Sequence, residues 1–439
     1  GYEVINLGIK QEVGAIIAAQ QEHQADCIAM SGLLVKSTAF MKDNLQAFNE
    51  AGISVPVVLG GAALTPRFVN KDCSEVYDGK VIYGRDAFTD LRFMDAYVKA
   101  QAEKRWDDRL GFLDGTPEGL SIGGEDVATD EARAGASEGL SDAAVDAEAA
   151  AAGSVALPLS CERSEAVPAE APIQPPFLGA SLLQGAEAIP LEEVIAYLDR
   201  QALFAGQWQM RKTREQTREA YEAELQEKAE PILQSWLERV RSEQLLQPAV
   251  AYGYFPCGRD GNALAVFSSA GDQLLGRFEL PRQRSGNRYC IADFFTDLRD
   301  GHPTDVLPMQ AVTMGEEASR FAQSLFQRDA YSDYLFFHGL AVQMAEALAE
   351  WTHARIRREC GFPDPEGMPI REVLAQRYRG SRYSFGYPAC PTVGDSRQQL
   401  LWLGAERIGL EMDESEQLHP EQSTTALVAL HSKARYFSA

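Results

Sequence analysis

A guanidinium, a hydroxyl and two phenols fall within six residues at Arg382, Tyr383, Ser384 and Tyr387, inside the run Arg382-Tyr383-Ser384-Phe385-Gly386-Tyr387-Pro388-Ala389-Cys390-Pro391. A guanidinium fork can take a carboxylate through two parallel hydrogen bonds, and phenol rings can stack on a flat ring. The chemistry this suits is recognition of a small ligand with a carboxylate, an amine and a planar ring. The same composition also suits a rigid surface loop whose tyrosines pack sideways. A second group, Glu346, Glu350, His353 and Arg357, recurs at i, i+4, i+7 and i+11 on one helical face. Such a face is either a row of solvated ion pairs or one in which a carboxylate turns inward to receive a ligand's cation. The pairs Glu350/His353 and Glu416/His419 would need two further facing glutamates to hold two irons, and Pro420 breaks the second helix. No metal site is assigned. Phosphate-cradling loops, nucleophile elbows and zinc-finger spacings are absent from the sequence.

The elements that must position these groups can be read around them. Pro369 opens and Gly380 closes a helical run, Ile370 to Tyr378. Two prolines and a glycine then oppose both helix and ladder, so residues 382–391 are expected to form a fixed irregular loop. The carboxylate-bearing helix spans Tyr331 to Cys360, with Leu340, Met344, Leu348 and Trp351 as its apolar stripe. Other helices are expected at Leu191–Leu203, 213–243, Glu316–Arg328 and Ser396–Leu403. Strands are expected at Ala249–Cys257, Asn262–Phe267, Val306–Thr313, Ile408–Met412 and Ala426–His431. This half reads as α+β.

Residues 2–104 read differently. Near-continuous apolar strands (Tyr2–Gly8, Cys27–Met30, Pro56–Leu59, Lys80–Gly84) alternate with helices (Gln11–His23, Asn44–Ala51, Ala87–Lys104). That pattern predicts an α/β doubly wound parallel sheet covered on both faces, with ligands outside the carboxyl ends of the strands. Those ends carry Ser31-Gly32-Leu33-Leu34-Val35-Lys36-Ser37, Gly60-Gly61-Ala62-Ala63 and Tyr83-Gly84-Arg85-Asp86-Ala87. Their small residues let backbone approach a bulky ligand.

Between the halves, residues 111–180 hold thirteen acidic residues against two arginines, which supplies −11 of the chain's −23 net charge. Low hydrophobicity with one-signed charge predicts a flexible tether. The expected domains are 1–104, an acidic linker at 105–178, and 179–439. The acidic balance excludes a nucleic-acid backbone as partner. Seven scattered cysteines fit a reducing cytoplasm, and no apolar run reaches membrane-spanning length.

The run Arg382–Pro391, read as Arg-x-x-x-Gly-Tyr-Pro-Ala-Cys-Pro, resembles the signature of the reactivation domain of cobalamin-dependent methionine synthases, a segment that in that family binds S-adenosylmethionine. Ser31-Gly32-Leu33 with Ser37, then Leu59-Gly60-Gly61-Ala62, resembles the cobalamin-binding domain of the same family over nearly all of residues 1–104. The resemblance implies that Ser31, Val35, Ser37, Gly60, Gly61 and Ala87 line the pocket for the nucleotide tail of cobalamin. Val35 stands where that family carries a threonine. The family's Asp-x-His-x-x-Gly motif, whose histidine ligates cobalt, would lie upstream of Gly1, so a truncated Rossmann-like domain cut inside its first βα unit is expected. For S-adenosylmethionine the resemblance implies Arg382 at the carboxylate, Asp199 at the amino group and Glu346 at the same site. Ser384, Gly386 and Tyr387 would line the site, and Tyr436 and Phe437 would close over it. Ser384 and Gln376 replace an alanine and a glutamate more usual there.

The implied function is that of the C-terminal portion of a 5-methyltetrahydrofolate–homocysteine methyltransferase. It would bind cobalamin (methylcobalamin in turnover) and S-adenosylmethionine, and support reductive remethylation of inactive cob(II)alamin with electrons from a flavodoxin-like or flavoprotein donor. No protein acid or base is needed for that step, so binding residues are assigned and catalytic ones are not. Folate and homocysteine modules, with their zinc, are implied as an N-terminal part outside this chain. The alternative is a non-catalytic carrier or sensor for corrinoid and S-adenosylmethionine.

Overall fold

Short apolar strands can bury both faces only if helices cover both, and the N-terminal part of the chain is built this way. The computed structural model describes residues 2–8, 11–32, 35–61, 64–84, 87–117, 120, 122, 162–212, 216–328, 330–414 and 416–437, with the side chains of 35–39, 87 and 88 outside the description. It divides into two units, Gly1–Glu148 and Ala149–Ala439.

In the first unit β1 (Ile28–Ser31), β2 (Val57–Gly60) and β3 (Val81–Gly84) form a parallel sheet in that order. Helices α1 (Val13–His23), α2 (Val35–Glu50) and α3 (Ala87–Ala102) accompany them. Val57, Leu59 and Val81 pack with Met41, Leu45 and Phe48 of α2, while Val58 and Ile82 pack with Phe93 and Tyr97 of α3. Successive side chains thus enter opposite layers, as a doubly wound sheet requires. Residues 2–8, expected as a strand, pair with none: a strand exists only in a ladder, and here the segment lies exposed, with the Tyr2 hydroxyl donating to Asp95 of α3.

The strand ends are packed backbone to backbone. Gly61 has φ +125°, and a Cβ there would sit 2.0 Å from the Gly32 carbonyl oxygen. Gly61→Ala is therefore expected to destabilise this unit by about 2 kcal/mol, read as a lower urea midpoint for its unfolding.

The linker bounds at 105–178 need correction at both ends. Strands β4 (Trp106–Asp107) and β5 (Gly111–Phe112) make a hairpin whose Trp106 ring lies 4.8 Å from Tyr97 and 5.0 Å from Phe112. At the other end Arg163 donates to the carbonyls of Asp293 and Phe295, Val167 is buried, and Phe177 sits edge-on to Tyr254 at 5.0 Å. Residues 123–161 lie outside the described residues.

The second unit is an antiparallel sheet with helices on its faces. Its strands are β6 (Gly179–Gln184), β7 (Ala249–Asp260), β8 (Ala263–Phe267), β9 (Leu274–Glu279), β10 (Asp305–Thr313), β11 (Ser381–Tyr383) and β14 (Ser423–Ala429), with β12 (Glu411–Met412) and β13 (Leu418–His419) pairing separately. The order is β11-β14-β10-β7-β8-β9, with β6 also on β7. The helices are α4 (Leu191–Ile195), α5 (Arg218–Glu224), α6 (Glu230–Glu243), α7 (Glu316–Gln327), α8 (Tyr331–Glu359), α9 (Ile370–Leu374) and α10 (Asp395–Leu403). The helix expected over 213–243 is interrupted by a π-helical turn at Leu225–Ala229, after which Pro231 opens α6. Val250, Tyr252 and Tyr254 of β7 join the core under α8, and Ala251 and Cys257 join the core on the opposite face.

Candidate functional site

The 29-residue helix α8 is the floor of the site. Leu340, Met344, Leu348 and Trp351 enter the core as expected, but Ala347, Ala349, Glu350, Thr352, His353, Ile356 and Arg357 are buried too. From Glu350 to Arg357 the polar face is therefore an interior one, not a solvated row of ion pairs, and only Glu346 at its start is exposed.

Strand β11 crosses this face. Gly380, at φ +88°, lets the chain enter the sheet, since a Cβ there would lie 2.6 Å from the Ala429 carbonyl oxygen. Ser381, Arg382 and Tyr383 then pair with Ala429, Val428 and Leu427. The irregular loop expected from Arg382 onward therefore begins only after Tyr383, because the prolines at 388 and 391 act too far downstream to stop the ladder. Alternation sends Tyr383 and Phe385 into the core opposite α8 and leaves Arg382 for the helix face. The loop is held by Gly386 N–H donating to Cys390 O (2.9 Å), Cys390 N–H to Tyr387 O (2.9 Å) and the Cys390 thiol to Ser384 O (2.9 Å). Gly386 supplies the left-handed turn at φ +94°.

Arg382 Nη1 donates to Glu350 Oε2 at 2.8 Å, and the Tyr378 hydroxyl donates to the same oxygen at 3.0 Å. Burial pulls the Arg382 guanidinium down, but Glu350, Tyr378 and Glu346 outweigh it and leave the pKa raised. Glu346, one turn before Glu350, is exposed. Loss of hydration raises its carboxyl above the ordinary range, Glu350 adds to this, and Arg382 opposes it. Tyr387 and Tyr436 are 57% and 47% exposed. Tyr387 is raised by burial and then by Glu346; Tyr436 is raised by burial and then by Tyr387 and Cys390. Arg382 and Glu346, Glu346 and Tyr387, and Tyr387 and Tyr436 thus lie within electrostatic reach of each other, and the surface they share is the candidate cleft. Glu350 Oε1 is buried there without a hydrogen-bond partner.

Two expected residues sit differently. Asp199 Oδ1 accepts from Ala202 N–H at 2.9 Å, so it caps the following turn and makes no hydrogen bond or ion pair with Arg382 or Glu346. The Phe437 ring is buried against Tyr289 (5.6 Å) and Tyr383 (5.9 Å), beneath the loop rather than over the cleft. An unforeseen neighbour is Tyr197, which feels the charges of Asp364, Arg357 and Glu350, while His353 of the expected polar face has its pKa driven well below the usual value by burial and then by Arg357 and Arg382. Glu350 had a signal, since it stands one turn after Glu346. Tyr197 and Asp364 had none, because they arrive from separate segments.

In the first unit Ser31, Gly60 and Gly84 stand in one register row at the carboxyl ends of β1, β2 and β3. With Ser31 exposed and Gly60 and Gly61 half-exposed, the row is a shelf almost without side chains, which fits a broad ligand laid against backbone. The side chains of Val35, Ser37 and Ala87 lie outside the described residues.

A doubly wound unit with a bare backbone shelf and an α+β unit with a fork-and-carboxylate cleft define a cofactor-binding protein of two modules. Residues 190–439 match the family described as vitamin B12 dependent methionine synthase, activation domain, and residues 1–92 match the B12 binding domain. The chain is 40% identical over its whole length to methionine synthases of Mycobacterium tuberculosis (strain ATCC 25618 / H37Rv) and Mycobacterium leprae (strain TN). It spans 36% of the length of each. A crystal structure of the MetH reactivation domain bound to AdoHcy has the same fold, at TM-score 0.54 and 24% identity, covering 61% of this chain and 83% of that one. The chain belongs to the family of vitamin B12-dependent methionine synthase activation domains, and its first unit is a B12-binding domain. Among the described residues, no helix is long and apolar enough to cross a membrane.

Proposed function

We propose that this chain is the cobalamin-binding and reactivation portion of a cobalamin-dependent methionine synthase, the first unit holding cobalamin and the second S-adenosylmethionine. The observation that carries the reading is Arg382 on β11, fixed at 2.8 Å to Glu350 of α8, the helix that also carries the exposed Glu346, with the accessible phenols Tyr387 and Tyr436 on the loop and tail tied to that strand. S-adenosylmethionine has a carboxylate for the fork, positive charge for Glu346 and a flat base for the rings. Asp199 is assigned to the amino group on the resemblance alone, and would have to leave its cap on Ala202 or use its second oxygen. Ser384 and Gly386 offer backbone, and Tyr436 closes over the ligand while the buried Phe437 anchors the segment that carries it.

Bound cobalamin supplies a cobalt centre able to accept a methyl group from a sulfonium after reduction. Ser31, Gly60 and Gly61 would hold its tail against the shelf, joined by Val35 and Ser37 in the first turn of α2 and Ala87 at the start of α3. The residues of the second unit orient the sulfonium and exclude water from it. The activity of the whole enzyme would also need folate and homocysteine modules and a flavodoxin-like electron donor, in the cytoplasm.

The test is calorimetric titration of the chain with S-adenosylmethionine, followed by spectroscopy of added cobalamin with a low-potential reductant. Micromolar binding and methyl transfer dependent on S-adenosylmethionine are expected; no binding at millimolar ligand defeats the reading. The raised Glu346 carboxyl also fixes a pH dependence. A cation prefers the ionised form, so affinity is full at neutral pH and falls as pH drops through a pKa above the usual value of about 4.3. Glu346→Gln is expected to weaken binding and flatten that fall, measured by titration across the acidic range.

A further inference from the structure

A guanidinium serves a ligand carboxylate well only when its fork is held still, and the groups that hold Arg382 are distinct from those facing the cleft. Behind the Arg382–Glu350 hydrogen bond, Glu350 Oε1 lies 3.6 Å from Arg357 Nη1. Arg357 donates through Nε and Nη2 to the two oxygens of Asp364, and its Cζ stands 3.7 Å from the centre of the Tyr378 ring. The charges alternate along Asp364, Arg357, Glu350 and Arg382, with the two central members more deeply buried than the outer two. Apolar side chains would fill the same helix–sheet junction without the desolvation cost of such a row. Of the five N–H groups of Arg382 the row engages one, at Nη1, and the side chain keeps 20% of its surface exposed.

We propose that Glu350 is a positioning residue for ligand binding: backed by Arg357 and Asp364 and braced by Tyr378, it locks the Arg382 fork with its free edge presented to the ligand's carboxylate. The inference rests on the reading that Arg382 receives the carboxylate of S-adenosylmethionine. Glu350 itself touches no ligand. It differs in this from Glu346, one turn earlier, which shares no hydrogen bond with Arg382 and faces the cleft.

Two probes separate positioning from a general structural role: S-adenosylmethionine, and its decarboxylated form, which lacks only the group that the fork would hold. Titrated into the full chain, Glu350→Gln is expected to weaken S-adenosylmethionine about tenfold, the loss of one charge-assisted contact, while leaving the decarboxylated probe nearly unchanged. Tyr378→Phe removes one hydroxyl and keeps the ring packing, so it remains informative if Glu350→Gln does not fold; the same selective pattern is expected at about threefold. Equal weakening of both probes, or no weakening of either, overturns the inference. Arg382→Ala is the control. If it weakens S-adenosylmethionine while the other two variants show no selectivity, the positioning role alone is wrong. If it has no effect, the carboxylate site is misplaced and the inference falls with it.

Discussion

Arg382→Ala is expected to cost S-adenosylmethionine binding roughly 2–4 kcal/mol, read as a thirty- to thousand-fold rise in Kd. Two losses add. The ligand carboxylate forfeits a fork whose guanidinium is itself four-fifths buried. Glu350, already buried with one oxygen unpartnered, also loses the nearest cation that balances it. Arg382→Lys restores the charge as a point without the planar fork, so it should recover only part of the affinity. Calorimetry reads both variants, and an unchanged Kd for the alanine variant would remove the cleft from the functional argument.

Asp293→Asn is expected to lower the unfolding free energy of the second unit by about 3–5 kcal/mol. Asp293 is fully buried, and its Oδ1 accepts from Arg282 Nη2 at 2.8 Å and Arg259 Nε at 3.2 Å. Its Oδ2 accepts from Arg282 Nη1 at 2.5 Å and from Ser164 N–H at 3.2 Å. An amide keeps one acceptor but turns donors toward donors and leaves two guanidiniums short of their counter-charge. Because Ser164 belongs to the segment fastened onto this unit, the variant should also speed proteolysis near residues 162–167. Urea unfolding provides the measurement, and a loss under about 1 kcal/mol, the worth of an ordinary exposed pair, would contradict the account.

What was readable in advance follows from where the controlling forces act. The runs Val57-Val58-Leu59 and Val81-Ile82 are apolar without interruption, so a doubly covered parallel sheet was visible from them alone. The segment 2–8 carries a similar pattern, but a pattern makes no ladder without a neighbouring strand. Charge averaged over 111–180 hid its anchors: Phe112, Arg163, Val167 and Phe177 are single residues in a polar background, and each is fixed by partners far away in sequence. In the cleft, ten residues from Arg382 carried the resemblance, yet helical periodicity could not rank Glu346 against Glu350, since both recur one turn apart. Their roles separate only when β11 brings Arg382 over the second of them. Asp199 shows the converse case, because an aspartate beside a turn can satisfy the backbone first, as its bond to Ala202 does.

The carboxyl tail does more than cover the loop. Tyr383, next to Arg382, donates its hydroxyl to the Arg435 carbonyl at 2.8 Å, Arg435 reaches the Tyr289 hydroxyl at 2.6 Å, and Phe437 is buried between Tyr289 and Tyr383. The segment Arg435–Phe437 is thus a keystone for the ligand cleft. Exopeptidase trimming back to Lys433 would register as weakened cofactor binding long before it registered as unfolding.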